Sequence, residues 1–157
     1  MEALPVAHDI QKSEQLNSKI CMIQYIAEDV QLPEMPVQQI NRWIKETALG
    51  YGKITGDIAY IFCSDKRILE VNNQFLQHEY YTDIITFDYS HGKIISGDIF
   101  ISTETVESNA GVFNVSFEDE LRRILIHGIL HLCGQDDKTP ETRLEMTRKE
   151  NSALEKY

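Results

Sequence analysis

The chain has 157 residues, 42% hydrophobic and 25% charged, enough for one domain with its own core and too few for two of ordinary size. That composition matches ordinary globular chains, and no apolar run nears the roughly 20 residues of a bilayer-spanning helix, which argues against disorder and a membrane class. A formal net charge of -10 argues against a broad basic surface that grips nucleic acid by its phosphates, so a polyanionic substrate needs local help.

In chain order, residues 1–21 are polar and unpatterned, without the regions of a secretory signal. They are expected to be an extension, either a disordered tail or the result of an upstream start, with one catalytic domain over residues 22–157. The segment MIQYIA from Met22 predicts a strand. A helix follows from Pro36 to Gly50, with Val37, Ile40, Ile44 and Ala48 at helical spacing. GDIAYIFCS predicts a strand, and Ser64 caps a helix over DKRILEVNNQFL. DIITFDYS and ISGDIFIS predict a hairpin turning at His91 to Lys93. A short helix from about Thr103 to Ala110 is expected to stop at Gly111. Ser116 with Asp119 and Glu120 suggests the cap of the next helix. Thr139 and Pro140 start a last helix, amphipathic through Leu144 and Leu154. The order βαβαββααα implies an α/β (α+β) fold, a small mixed four-stranded sheet covered by helices. Cys21, Cys63 and Cys133 are odd in number and widely spaced, so no disulfide framework is expected, in keeping with a cytoplasmic protein.

The chemistry concentrates in ILIHGILHLCGQDDKT, residues 124–139. Histidines four apart project from one helical face, so His127 and His131 can aim at a single point as a chelating pair. Gly134 is placed to end the helix in a left-handed turn and return Asp136 or Asp137 towards that point. Two imidazoles and a carboxylate leave one position of a tetrahedral zinc open, as in catalytic sites. A lone histidine on an apolar face is more often a hydrogen-bonded core residue, and an HxxxH pair also arises by chance. Burying two unpartnered imidazoles, however, would cost roughly 1 to 3 kcal/mol each. The HExxH of zinc peptidases needs a glutamate where this chain has Gly128, which disfavours that class.

HGILHLCGQDD resembles the HGxLHLxGYDH signature of the YbeY family, metal-dependent single-strand endoribonucleases of ribosomal RNA maturation. TDIITFDY (Thr82–Tyr89) is similar to that family's TDVLSF stretch and GDIFIS (Gly97–Ser102) to its GDIxIS stretch, and the likeness extends over residues 22–157. It implies His127, His131 and Asp137 as metal ligands, Asp137 standing where the family usually has a third histidine. An oxygen donor there weakens selectivity for Zn2+ over other divalent ions. Asp136 matches the motif's aspartate and could orient a ligand histidine. The family's cleft arginine falls at Leu76, so charge developing on a phosphoryl oxygen needs another cation. His78, Lys66, Arg67 and Arg123 are candidates, each with surface solvation as the ordinary alternative.

Glu120 returns to the face of His127 two turns earlier, as a base, as a hydrogen-bond acceptor, or simply as a favourable charge at the helix start. Thr82, Asp83, Gly97 and Asp98 are expected to line the cleft or to serve as plain strand ends. Trp43, Tyr80 and Tyr81 could stack bases, with core packing as the ordinary role. The expectation is therefore a Zn2+-dependent endoribonuclease, one ion per chain, acting on single-stranded ribosomal RNA in small-subunit maturation and ribosome quality control. A ribosomal partner is expected and a membrane is not. Two alternatives stand: an assembly factor whose metal is structural, which would leave RNA intact, and another metal hydrolase such as an amidase, which would turn over amides instead.

Overall fold

The computed structural model describes residues 22–76 and 82–157. Its elements are β1 (Ile23–Ala27), α1 (Val37–Gly50), β2 (Ile54–Cys63), α2 (Asp65–Leu76), β3 (Ile84–Asp88), β4 (Ile94–Ser102), α3 (Thr103–Phe113), α4 (Phe117–Leu132) and α5 (Pro140–Glu155). This is the expected order. The sheet runs β1-β2-β4-β3, parallel at its first two interfaces and antiparallel between β4 and β3, so it is the small mixed sheet anticipated. Among the described residues β3 is an edge strand, registered from Ile84 opposite Ile101 to Asp88 opposite Gly97.

Strand alternation divides the apolar residues between two cores. Ile95, Ile99 and Ile101 of β4 face Ile40, Ile44 and Ala48 of α1 and Leu125, Ile126 and Ile129 of α4. Each isoleucine and leucine of this set contributes roughly 1.5–3 kcal/mol by leaving water. On the opposite face Ile85, Phe87 and Phe100 meet Ile68 and Val71 of α2. Trp43 belongs to the main core, where its Nε1 donates to Ala153 O at 2.8 Å, so it is a packing residue and not a platform for bases.

Two helix expectations need correction. Gly111 does not stop α3, because the helix continues to Phe113 and ends at Asn114 in the left-handed region, φ 55°. In α5, Leu154 packs partly buried against the main core as expected, but Leu144 is 74% exposed, and the buried residues are Met146, Glu150 and Ala153. The apolar positions suggested one stripe, but a stripe containing a glutamate is the buried one.

Candidate metal centre

Ser116 caps α4 by accepting from Asp119 N, as anticipated. Gly128 then settles how closely this helix meets the sheet. A Cβ there would lie 3.0 and 3.1 Å from side-chain atoms of Ile99 and 3.3 Å from Ile84, tighter than ordinary contact, so a larger residue would push these isoleucines aside. His127 and His131 flank that contact, their ring centroids 4.6 Å apart and their planes at 83°. The helix closes with Gly134 at φ 102°, Gln135 N donating to Leu130 O at 2.9 Å. This reversal brings Gln135 O to 2.9 Å from His131 Nδ1. It also sets Asp137 Oδ2 at 3.3 Å from His131 Nε2 and 3.4 Å from His127 Nε2. Thr139 starts α5 with a capping box to Thr142, which pins the far end of the turn.

Asp136 has a different task from the one expected. Its Oδ1 accepts from the main-chain N of Asp137 at 2.7 Å and of Lys138 at 3.1 Å, so it shapes the turn. The carboxylate beside His127 is Glu150, which sequence reasoning missed. His127 Nδ1 lies 2.5 Å from Glu150 Oε2, and Arg123 Nη1 donates to Glu150 Oε1 at 3.0 Å. The readable signal was spacing, since Met146, Glu150 and Ala153 fall on one helical face.

Carbonyl and carboxylate oxygens accept only, so both rings are assigned a proton on Nδ1. Both Nε2 atoms then point lone pairs at Asp137, and the donor atoms of the three residues lie within 4.8 Å of one another. Such a set is mutually repulsive until a cation or protons come between. Ligand atoms on a tetrahedral ion with bonds of about 2.0–2.1 Å sit about 3.3–3.4 Å apart, and the two contacts to Asp137 are 3.3 and 3.4 Å. The residues fit a divalent ion. Burial, then the neighbouring charge of His127, hold His131 below the ordinary histidine value. For His127 burial also acts to lower the value, but the Glu150 hydrogen bond and the charges of Glu150, Asp83 and Asp137 outweigh it and the net direction is up. Burial raises Asp83.

A cleft of about 460 Å3 opens beside His131 and Asp137, and its lining includes Asn72, Thr82, Thr86 and Lys138. Thr82 is thus where the expectation put it, its Oγ1 donating to Ile84 O at 3.1 Å. Lys138 is the cation of this lining among the described residues. Asp98 is not there: strand alternation turns it to the sheet face opposite α4, beside Asp57 and Ala59. Gly97 has a packing reason, since a Cβ would fall 2.4 Å from Phe87 O. Glu120 and Arg123 line a separate cavity of about 750 Å3 that also touches Glu150. Arg67 is paired with Glu28 at 2.7 Å and Glu70 at 3.5 Å, and Lys66 is outside the cleft lining. His78, Tyr80, Tyr81 and Cys21 lie outside the described residues.

A helix offering two imidazoles, a carboxylate returned by a glycine turn and an adjoining cleft at a sheet edge give this α/β fold a group of side chains that could hold a metal ion, the arrangement of a metal-hydrolase site. The family model described as Endoribonuclease YbeY matches residues 22–157. The chain is 59% identical to Endoribonuclease YbeY of Parabacteroides distasonis, over 84% of this chain and 93% of that protein. It is 54% identical to Endoribonuclease YbeY of Bacteroides thetaiotaomicron, over 84% and 96% respectively. The solution structure of TM1509 from Thermotoga maritima superposes with a TM-score of 0.58 at 29% identity, covering 85% of this chain and 87% of that one. The chain belongs to the YbeY endoribonuclease family.

Proposed function

We propose that this chain hydrolyses phosphodiester bonds of single-stranded RNA at a divalent-metal centre made by His127, His131 and Asp137. Zn2+ is the ion, ribosomal RNA in small-subunit maturation the substrate, a ribosomal particle in the cytoplasm the partner, and ribosome quality control a consequence. The observation that supports this reading best is the convergence of three lone-pair donors on one point beside an open cleft. When bound, the ion supplies Lewis acidity towards a phosphoryl oxygen and makes water a stronger acid near neutral pH.

The protein's own groups do the rest. Gln135 O and Glu150 hold the two rings with Nε2 forward. The edge of β3 and the turn at residues 136–138 wall a groove that an extended strand can enter. Lys138 takes over from the cation that Leu76 lacks, placing an ammonium one residue beyond Asp137 to meet phosphate charge.

The test is cleavage of a short single-stranded RNA by the purified protein with defined metals, beside His131→Ala. Metal-dependent cleavage lost in the variant is expected. Equal cleavage by both would identify a contaminating nuclease and remove the proposal.

A further inference from the structure

We infer that Glu150 and Arg123 are positioning residues of the metal centre, Glu150 by holding His127 and Arg123 by acting through Glu150. This rests on the reading of His127, His131 and Asp137 as metal ligands. Glu150 is 6% exposed, and both of its oxygens are engaged, Oε2 by His127 Nδ1 at 2.5 Å and Oε1 by Arg123 Nη1 at 3.0 Å. Arg123 also reaches Asn151 Oδ1 with Nη2 at 2.8 Å, so one guanidinium grips two consecutive residues of α5. Arg123 precedes His127 by one helical turn, which puts both side chains on the face that meets α5.

A simple clamp between α4 and α5 would need only the arginine and the glutamate. Here the second carboxylate oxygen is turned onto the one ring nitrogen of His127 that does not face Asp137. The geometry has three consequences. The proton is fixed on Nδ1, the ring cannot flip without losing a charged hydrogen bond in a buried place, and Nε2 becomes a better donor because its ring leans on an anion. His131 receives only a neutral carbonyl, Gln135 O, so the two histidines are unequal. Arg123 is absent from the lining of the cleft beside His131 and Asp137 and lines the separate cavity next to Glu150 instead. It offsets the buried charge of Glu150 and holds the carboxylate in the plane that His127 requires.

The experiment measures Zn2+ affinity by chelator competition, the His127 tautomer in the metal-free protein by 15N NMR, and thermal melting. Wild type is compared with Glu150→Ala, Glu150→Gln, Arg123→Ala, Arg123→Lys and His131→Ala, all in the full chain. Glu150→Ala is expected to weaken Zn2+ binding about 10- to 100-fold and to release the proton from Nδ1. Glu150→Gln, whose carbonyl still accepts, should keep the tautomer with a smaller loss. Arg123→Ala should weaken binding in the same direction, and Arg123→Lys should regain part of it. Lower melting temperatures with unchanged affinity and tautomer in the Glu150 and Arg123 variants would overturn the inference and leave a mere clamp. Should Glu150→Ala not fold, Glu150→Gln and Arg123→Ala decide it. Folded wild type that binds no metal would instead overturn the proposed centre, whereas binding lost only in His131→Ala would sink this inference alone.

Discussion

Asp137 Oδ2 stands 3.3 Å from one Nε2 and 3.4 Å from another, a separation that suits one ion and is poor for three lone pairs left to themselves. Metal binding should therefore stabilise the fold, because the folded chain gathers donors that the unfolded chain scatters. At Zn2+ about 1,000-fold above Kd the gain is about 4 kcal/mol, or about 8–16 °C for a domain of this size. Asp137→Asn is expected to abolish most of that rise in a calorimetric scan, and an undiminished rise would place the ion elsewhere. Glu120 gives a second prediction. Burial raises its pKa, with Arg123 opposing and Asp83 and Glu150 adding, so a favourable helix start does not compensate for the cover. A carboxyl raised in the folded state binds its proton more tightly there, so folding is favoured below the unfolded value of about 4.3 and that advantage is lost as pH rises through the folded value. Glu120→Gln should thus melt higher than wild type at pH 7.5, by about 2–4 °C at most, with the difference closing towards pH 4. A constant difference across that range would refute the assignment. At this scale the sequence showed the converging side chains of His127, His131 and Asp137 better than the residues that hold them. His127 and His131 are separated by one helical turn, which spacing displays, whereas spacing on α5 can put Glu150 on the inward face but does not name its partner His127, 23 residues away on another helix.

Elements were legible where a local device declares them. Ser116, Thr139 and Pro140 mark helix starts by side-chain chemistry, and the structure uses all three. Gly111 was misread because glycine signals a stop only when the chain adopts positive φ, and at that point Asn114 does so instead. The facing of α5 was misread because its exposed Leu144 looked like core, while its buried Glu150 owes its place to partners on another helix. The two glycines Gly111 and Gly128 turn this difference into a measurement. Gly111 lies inside α3 with nothing within 4 Å of a would-be Cβ. Gly111→Ala is expected to raise stability by up to about 1 kcal/mol through helix propensity. Gly128→Ala gains the same propensity but drives a methyl against Ile99 and Ile84 at 3.0–3.3 Å. Overpacking costs about 1–3 kcal/mol, so the net change should be destabilising, with weaker metal binding as His127 and His131 shift. Denaturant melts of the two variants should move in opposite directions. A Gly128→Ala protein as stable and as metal-competent as wild type would show that the close approach of α4 to β4 is not required.

The whole molecule carries a net charge of -10, yet its substrate class is a polyanion. Two effects of salt then oppose each other. Contacts with phosphate release counterions, weakening affinity with a log–log slope of about 0.7 per phosphate neutralised on a single strand. Repulsion between the acidic body and the RNA acts over a Debye length and fades as that length shrinks towards about 8 Å at physiological salt, which favours association. The cleft limits the first effect, for its lining sets one ammonium, Lys138, against Asp88, Asp136 and Asp137, and a divalent ion only brings that balance level. The dependence of kcat/KM on salt between 50 and 200 mM should accordingly be shallow, about one phosphate's worth or less, unlike the steep fall of a basic nuclease. Lys138→Ala is expected to lower kcat/KM about tenfold, the worth of about 1.4 kcal/mol, and to remove the remaining negative slope. Zn2+ affinity should stay in place, since the ion pairs of Asp137 among the described residues are to His127 and His131. A steep negative slope in wild type, unmoved by Lys138→Ala, would mean that RNA is held by cations outside this cleft and that the groove beside β3 is not its path.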